Sequence, residues 1–189
     1  MVRFRTSQWR WQVEPEASRA DLDTGVDTGA DTGVDLAEKR ARALVGRVER
    51  RSLGVVRAGA AAEFARAAGE DAPRLVDPDH PEFVVHPMYV VSLLRGAPGA
   101  DDAEFRPDGM YRDEVPGTDG LDVSLMAGGQ DVRWSCAVRV GDDIEVRRTL
   151  VSVERKGRGA GFILLTVEKT YGTPERGVLV EVTERFIVR

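Results

Sequence analysis

The chain has 189 residues, of which 42% are hydrophobic and 31% are charged. These values are ordinary for a globular protein, and the length suits one domain with a sizeable core. The formal net charge is −5, and the basic clusters are interleaved with glutamates. The chain therefore lacks the clustered basic face that nucleic-acid binding requires, and we predict no nucleic-acid partner.

The cysteine content and the lengths of the apolar runs further restrict the class of protein. Cys136 is the only cysteine, so no intrachain disulfide can form, and its place in an apolar strand predicts a buried, unreactive side chain. No apolar run reaches the roughly 18 residues of a spanning helix, and no signal peptide is recognisable. These features predict a cytoplasmic protein without a membrane partner.

The first 35 residues differ in composition from the rest. Trp9 and Trp11 stand among charges, and a repeat of Asp, Thr and Gly follows over residues 23–35. A segment so poor in apolar side chains cannot offset the entropy lost on ordering, so we interpret residues 1–35 as a flexible tail. Its aspartates recur every fourth residue, which is not the spacing of a calcium loop, and we predict neither a metal site nor a cofactor.

Residues 36–189 are predicted to form one domain that opens with helices. Asp35 is the predicted N-cap of a short helix that runs into a strand, with Glu38 three residues later as in a capping box. Apolar periodicity predicts a second helix over residues 58–69. Three prolines predict no regular structure over residues 71–83.

The most apolar segment is 84–94, which predicts a helix buried by other structure. Pro87 suits the first turn of this helix, where its missing N–H costs nothing. Gly96 and Pro98 predict the end of the helix. Residues 97–120 are rich in Pro, Gly and Asp and predict a long loop.

After this loop the sequence becomes typical of strands. Four segments rich in Val, Ile, Leu and Thr are separated by turn residues; they are 131–138, 143–154, 161–171 and 178–188. The back half is therefore predicted to be an antiparallel meander. Helices in front of an antiparallel sheet give an α+β fold, and a sheet wrapped around a central apolar helix is the hotdog arrangement.

Several segments resemble the MaoC-like hydratase/dehydratase family. They are AEFARAAGE at 62–70, HPMYV at 86–90, the turn into a long strand at 138–144 and the Lys-Gly-Arg-Gly hairpin at 156–159. The resemblance covers roughly residues 47–189 and is closest to the N-terminal-type, non-catalytic domain of (3R)-hydroxyacyl dehydratases. It implies a hotdog fold, a second hotdog subunit or a homodimer, and a thioester of acyl carrier protein or coenzyme A as substrate.

The resemblance also implies where catalytic residues would lie. The family pattern runs roughly G-D-x-N-P-(I/L)-H-x-D, and GEDAPRLVD at 69–77 occupies its place. Glu70 stands where the family has its catalytic Asp, and Leu75 stands where it has its catalytic His. Leu75 cannot transfer a proton, whereas a carboxylate such as Glu70 can.

A second departure concerns the backbone N–H that polarises the thioester carbonyl in this family. That donor follows a His at the helix start, but here His86 is followed by Pro87, which has no N–H. Both departures predict a non-catalytic, tunnel-forming subunit of a heteromeric (3R)-hydroxyacyl-thioester dehydratase or hydratase. The catalytic pair would lie on its partner, in fatty-acid or polyketide-type metabolism, and the Ala/Arg/Gly/Val-rich composition is typical of GC-rich bacteria.

Two alternatives stay open. A self-sufficient hotdog enzyme, acting as dehydratase, thioesterase, isomerase or cyclase, would use Glu70, Asp71 or His86. An acyl-binding module would bind its ligand without turnover. Gly128, Gly129 and Gln130, from the region near the family's dimer seam and acyl tunnel, are candidates for substrate binding. Tyr89 is a fourth candidate; the alternative for Tyr89, and our interpretation of Trp134, is a place in the core. The two glycines also indicate a bulge or a close approach of backbones.

Overall fold

The computed structural model describes residues 12–13, 32–95, 105–106, 109–112, 114–157 and 161–189. Most of the predicted tail and part of the predicted loop 97–120 lie outside these residues.

The described residues form four α-helices, one 3₁₀ turn and six strands. In chain order they are β1 Gln12–Val13, α1 Gly33–Arg42, β2 Val48–Val55, α2 Ala58–Ala67, α3 Pro73–Val76, α4 Tyr89–Ser92, the 3₁₀ turn Leu93–Arg95, β3 Leu125–Trp134, β4 Asp143–Lys156, β5 Phe162–Thr173 and β6 Gly177–Val188. The strands form one antiparallel sheet in the order β1-β2-β4-β5-β6-β3. Among these residues, every helix falls short of the length and hydrophobicity that a bilayer span needs.

One face of the sheet is buried along its central strands. Buried residues alternate with more exposed ones along β5 and β6, as the pleat requires. At one end of this face, α2 and α4 cover an apolar cluster that includes Val146 and Tyr171. At the other end, α1 covers a second cluster that includes Leu150 and Val167. The core is therefore divided between two groups of helices on the same face.

The strand order departs from the predicted meander at one point. β4, β5 and β6 are consecutive neighbours, but β3 pairs with β6 at the far edge of the sheet. The reason is that β2, from the front half, already pairs with β4. β3 also covers Leu125–Trp134 rather than 131–138, since a bulge between Ala127 and Gly129 lets the strand continue through the glycines.

The first helix begins before its predicted N-cap. Thr32 is the N-cap of α1, and its side chain accepts a hydrogen bond from the Asp35 N–H. The Asp35 carboxylate accepts from the Thr32 N–H in return, so Asp35 is the third helical residue and not the N-cap. The side chains of Thr32 and Asp35 each accept a hydrogen bond from the other residue's N–H, which has no partner within the helix. This capping box explains why the helix begins earlier than predicted.

Prolines change two further predictions. The predicted helix 84–94 is reduced to α4 and the following 3₁₀ turn, because the residue before a proline avoids helical backbone and Pro87 follows His86. Conversely, segment 71–83 is not wholly irregular, because Pro73 occupies the first position of the single-turn helix α3, where proline is compatible with the helix.

The end of β3 corrects two predictions of burial. Trp134, expected in the core, is 47% exposed, and Cys136 is exposed as well. β3 ends at Trp134 on the edge of the sheet, so neither residue has a further described strand beside it.

Candidate functional site

The loops around α3 bring two predicted site residues together. Glu70 Oε1 lies 3.5 Å from His86 Nε2, and their side chains are 39% and 16% exposed. Phe64 of α2 packs against the imidazole, with ring centroids 5.3 Å apart. The distance is longer than a strong hydrogen bond, so the contact is an electrostatic pairing at the rim of the apolar cluster.

The hydrogen bonding of His86 limits what its imidazole can do. Nδ1 accepts a hydrogen bond from the Met88 N–H at 3.1 Å. A neutral imidazole has only one acceptor nitrogen, so this bond assigns the proton to Nε2, which faces Glu70. No lone pair is left on the ring for a substrate proton. In this arrangement Glu70 is the proton acceptor of the pair, and His86 holds its carboxylate in place.

The start of α4 is poor in free donors. Pro87 has no N–H, the Met88 N–H is used by His86, and the Tyr89 N–H donates to the His86 carbonyl at 3.0 Å. The Pro87 carbonyl accepts a hydrogen bond from Trp134 Nε1 at 3.1 Å. Residues 87–89 therefore offer no free N–H that would polarise a thioester carbonyl.

The other predicted catalytic positions of the motif take no part in this contact. Leu75 lies within α3 and is half-buried, and it brings no titratable group. Asp71 is exposed between α2 and α3. Of the predicted catalytic candidates, the fold thus pairs Glu70 with His86.

A pocket of about 520 Å³ lies between the β3–β6 pair and the described residues of segment 105–114. Its apolar walls include Phe105, Met110, Tyr111, Ala127 and Phe186. Of the predicted substrate-binding residues, Gly129 and Gln130 line this pocket. Gly128 instead lies against the Arg185 backbone, which a Cβ at residue 128 would approach to 3.1 Å.

Tyr89, the fourth predicted substrate-binding residue, lies elsewhere. It is 6% exposed in the apolar cluster covered by α2 and α4, edge-on to Phe64. Burial raises the pKa of its phenol above the ordinary value. Its surroundings are those of a core residue.

A row of polar side chains crosses the buried face of the sheet between the two apolar clusters. Glu49 lies opposite Arg148, Arg148 opposite Lys169, and Gln130 opposite Glu184. Opposite residues share a face, and Val182, which lies opposite Lys169, places Glu184 two residues further along β6 on that same face. We call these five side chains the buried polar row; its member Gln130, on the edge strand, is exposed. Sequence reasoning missed it, although each central strand carries one charge at an inward position with apolar residues two places away on either side.

Two ion pairs and a hydrogen bond join neighbouring members of the row. Arg148 Nη2 lies 2.6 Å from Glu49 Oε2. Lys169 Nζ lies 2.5 Å from Glu184 Oε2 and 3.1 Å from Glu114 Oε1, which belongs to the segment above the sheet. Gln130 Nε2 donates to Glu184 Oε1 at 2.7 Å. Two members of the row, Gln130 and Glu184, line the pocket together with Glu114, and these three side chains form its polar floor.

Comparison with known protein families gives a match over most of the chain. The profile of the family described as "FAS1-like, dehydratase domain region" matches residues 43–183. A search of curated proteins finds none that matches.

Solved structures resemble this chain over most of its length. The HadBC (3R-hydroxyacyl-ACP dehydratase) complex from Mycobacterium tuberculosis gives a TM-score of 0.52 at 17% identity, covering 76% of this chain and 96% of that chain. The ChsH1–ChsH2 complex from the same organism gives 0.57 at 15%, with 82% and 89% covered. The (R)-hydratase from A. caviae involved in PHA biosynthesis gives 0.51 at 20%, with 75% and 94% covered. These likenesses confirm the predicted α+β hotdog fold.

Proposed function

The chain belongs to the FAS1-like dehydratase domain family, among the MaoC-like hotdog proteins, and on that basis we propose that it is the non-catalytic subunit of a heteromeric (3R)-hydroxyacyl-thioester dehydratase or hydratase. A partner hotdog supplies the catalytic His and Asp, and this chain supplies a wall of the acyl tunnel. We assign residues 36–189 to the hotdog domain, which α1 and β1 extend into the preceding segment. The carrier is acyl carrier protein or coenzyme A, in fatty-acid or polyketide-type metabolism of the bacterial cytoplasm.

The start of α4 is the observation that carries this proposal. The N–H groups of residues 87–89 are missing or already bonded, and Leu75 stands where the family has its proton-transferring His. Elimination of water from a thioester needs both a proton acceptor and stabilisation of the carbonyl oxygen. Among the described residues, the positions at which the family meets these two requirements therefore hold no proton-transferring His and no free N–H. A partner that meets both requirements explains the retained fold.

The edge strand β3 supports a hotdog partner. β3 has a described neighbour on one side only, where it pairs with β6. At the opposite end of the sheet, the two-residue strand β1 pairs with Glu49 and Arg50 of β2. An unpaired edge is a template for another strand. Met126 and Trp134 on β3 are 43% and 47% exposed, and a partner strand there would bury them. The HadBC and ChsH1–ChsH2 structures are themselves complexes.

The pocket beside β3 supports a role in binding the acyl group. Gly129 and Gln130 belong to β3 and line the pocket. An acyl chain in the pocket would thus lie next to the edge at which we place the partner. The apolar walls suit an alkyl chain, because burying each CH₂ contributes about 0.8 kcal/mol.

Turnover by the separate and mixed subunits tests the proposal. The partner is sought as a neighbouring reading frame of hotdog size that carries G-D-x-N-P-x-H. We expect no dehydration of a (3R)-hydroxyacyl thioester by this chain alone and efficient dehydration by the mixture, with the partner alone as control. Full activity of this chain by itself would contradict the proposal.

The contact between Glu70 and His86 favours a second candidate, a self-sufficient hotdog enzyme. Glu70 would act as the single base, with His86 positioning it. Glu70→Gln would then abolish turnover by the chain alone, whereas Glu63→Gln, an exposed change on α2, would leave it intact. Equal turnover by both variants eliminates this candidate, and a co-purified acyl ligand without any turnover points to an acyl-binding module.

A further inference from the structure

The two histidines of the chain occupy matching positions in the segment between α3 and α4. They are His80 and His86, and a proline follows each of them. His80 Nδ1 accepts a hydrogen bond from the Glu82 N–H, and His86 Nδ1 accepts one from the Met88 N–H, both at 3.1 Å. Each proline lacks an N–H, so the ring binds the next one along the chain, two residues after the histidine. We call this pair of structures the His-Pro turns.

Both His-Pro turns depend on a neutral imidazole. A neutral ring has one acceptor nitrogen, whereas both nitrogens of an imidazolium are donors. After protonation, an Nδ1–H group would face the backbone N–H from which Nδ1 now accepts, and the hydrogen bond would be lost. Histidine is the side chain that ordinarily changes its charge between about pH 5 and 8. Mild acid is therefore enough to remove the acceptor from each turn.

The surroundings of His86 offer its ring a different partner once the ring is charged. The Glu70 carboxylate lies 3.5 Å from Nε2, and an imidazolium would form a charge-assisted hydrogen bond with it. The other elements packed here contribute uncharged groups: Phe64 of α2 contacts the imidazole, and Trp134 of β3 donates to the Pro87 carbonyl. Among the described residues, Glu70 is thus the charged side chain that faces this ring, and protonation exchanges the bond to the Met88 N–H for an ion pair.

The surroundings of His80 are more open. Its side chain is half-buried, and the neighbouring acidic residues are exposed; they are Asp77, Asp79 and Glu82. The exposed Arg74 of α3 contacts this part of the segment through its carbonyl, which accepts a hydrogen bond from the Val84 N–H at 2.8 Å. A protonated His80 ring therefore remains accessible to water, which replaces the Glu82 N–H as its partner.

We propose that the two His-Pro turns form a proton-sensitive latch on segment 80–88, closed while both rings are neutral and open once they are protonated. The closed segment holds Phe83 and Val85 against the apolar cluster that α2 and α4 cover. The bond from the Val84 N–H to α3 lies between the two turns. When both turns open, the segment loses the bonds near its two ends, and this central bond breaks more often. The latch is a property of this chain by itself and holds whether or not the proposed function is correct.

NMR of the whole chain tests the latch without an activity assay. Imidazole ¹⁵N shifts report which nitrogen carries the proton, and solvent exchange of each amide, corrected for the intrinsic effect of pH, reports its hydrogen bond. At about pH 8 we expect both rings to carry the proton on Nε2. As the rings take up a second proton, the amides of Glu82, Val84 and Met88 should lose protection about tenfold or more.

An amide of α2 is the internal control for this titration. The Ala68 N–H donates to the Phe64 carbonyl at 2.9 Å, away from both turns, and its protection should not change. Unchanged protection of Glu82 and Met88 after both rings are protonated would overturn the inference. An equal loss at Ala68 and Val84 would overturn it as well, because the whole fold would then be opening in acid.

Asparagine variants separate the acceptor from its charge. An Asn side chain accepts from the N–H two residues later, as in an Asx turn, and does not titrate. The double variant His80→Asn, His86→Asn should therefore keep the Val84 amide protected at about pH 5.5, where the unmodified chain loses that protection. The double variant with Ala at both positions should lack the protection at every pH. If the Ala variant does not fold, the Asn variant and the unmodified chain still decide, since an equal acid-induced loss in those two would refute the latch.

Discussion

Lys169 has almost no exposed surface and two carboxylates within ion-pair distance. Its side chain is 4% exposed, with Glu184 and Glu114 at 2.5 and 3.1 Å. Lys169→Met keeps the apolar stem but leaves two carboxylates facing each other without a cation. We expect the free energy of unfolding to fall by about 3 kcal/mol, because breaking a buried ion pair strands uncompensated charge. Urea denaturation at neutral pH measures this change.

Lys156→Met is the matched control for that prediction. Lys156 pairs with Glu154 at 2.7 Å, but both side chains are nearly half exposed. Solvent screens such a pair, so the expected loss is below about 0.5 kcal/mol. A similar loss in both variants would mean that burial of the polar row does not matter to stability.

The sequence identified the site residues that belong to short motifs and missed the contacts that depend on the fold. Glu70, Leu75 and Pro87 were identified because they belong to short linear patterns. The tautomer of His86 was beyond prediction, since it depends on where the Met88 N–H points. The buried polar row was missed because its members come from five strands and only their register brings them together.

The loop that contains Gly117 packs closely against α1. Gly117 has a φ of +83°, and a Cβ there would lie 2.7 Å from the backbone nitrogen of Ala41, which is buried in α1. Both the backbone conformation and the lack of space oppose a side chain. We expect Gly117→Ala to destabilise the protein by about 2 kcal/mol or more in thermal denaturation.

Gly120→Ala is the control for the close approach of Gly117 to α1. Its φ is +71°, and a Cβ at this residue would have no described atom within 4 Å beyond its chain neighbours. Gly120→Ala should therefore cost only the conformational penalty, about 1 kcal/mol. The difference between the two variants reports the contact of the loop with α1, and equal losses would contradict that contact.

Arg155 of β4 ties α1 to the sheet through two carboxylates. It lies 2.6 Å from Asp35 and 2.9 Å from Glu38. Hydrogen bonds from Thr32 and then Arg155 lower the pKa of Asp35 below its ordinary 3.8. Hydrogen bonds from Arg155 and then Arg42 lower the pKa of Glu38 below its ordinary 4.5.

The sign of the resulting pH dependence follows from linkage. A carboxyl whose pKa is lowered by folding contributes stability above its unfolded pKa and loses it as the pH falls through the folded pKa. We expect Arg155→Met to raise both pKa values in carboxyl NMR titrations and to flatten the loss of stability below about pH 4.5. Arg139→Met, an exposed change, should leave both titrations as they are; unchanged titrations in Arg155→Met would refute the coupling.

Helices and strands were predictable where a pattern within a short stretch of sequence determines them. Apolar periodicity predicts a helix over residues 58–69, and α2 ends at Ala67, two residues before the predicted end. The position of β3 was not predictable in the same way, because a strand's partner depends on which edges remain free. β2 occupies the edge of β4, which directs β3 to β6.

The longest sheet edge without a described neighbour is the outer side of β3. At the opposite edge β1 pairs only with Glu49 and Arg50 of β2, so a shorter part of β2 also lacks a described neighbour. β3 extends over 10 residues and contains no proline. Its bulge at Ala127–Gly129 and its charged residues Asp131 and Arg133 restrict strand addition to part of that length. This asymmetry predicts that association occurs through β3.

Met126→Lys tests that prediction. Met126 is 43% exposed on β3, so the substitution should leave the folded chain within about 0.5 kcal/mol of its original stability. In the complex the lysine would meet the partner, and we expect the affinity to fall about tenfold or more, equivalent to about 1.4 kcal/mol. Val178→Lys is the control, because Val178 is 44% exposed on β6 near the hairpin, away from the free edge. Equal weakening by the two lysines would place the interface elsewhere.

Sedimentation of the chain alone and with its partner distinguishes a homodimer from a hetero-oligomer.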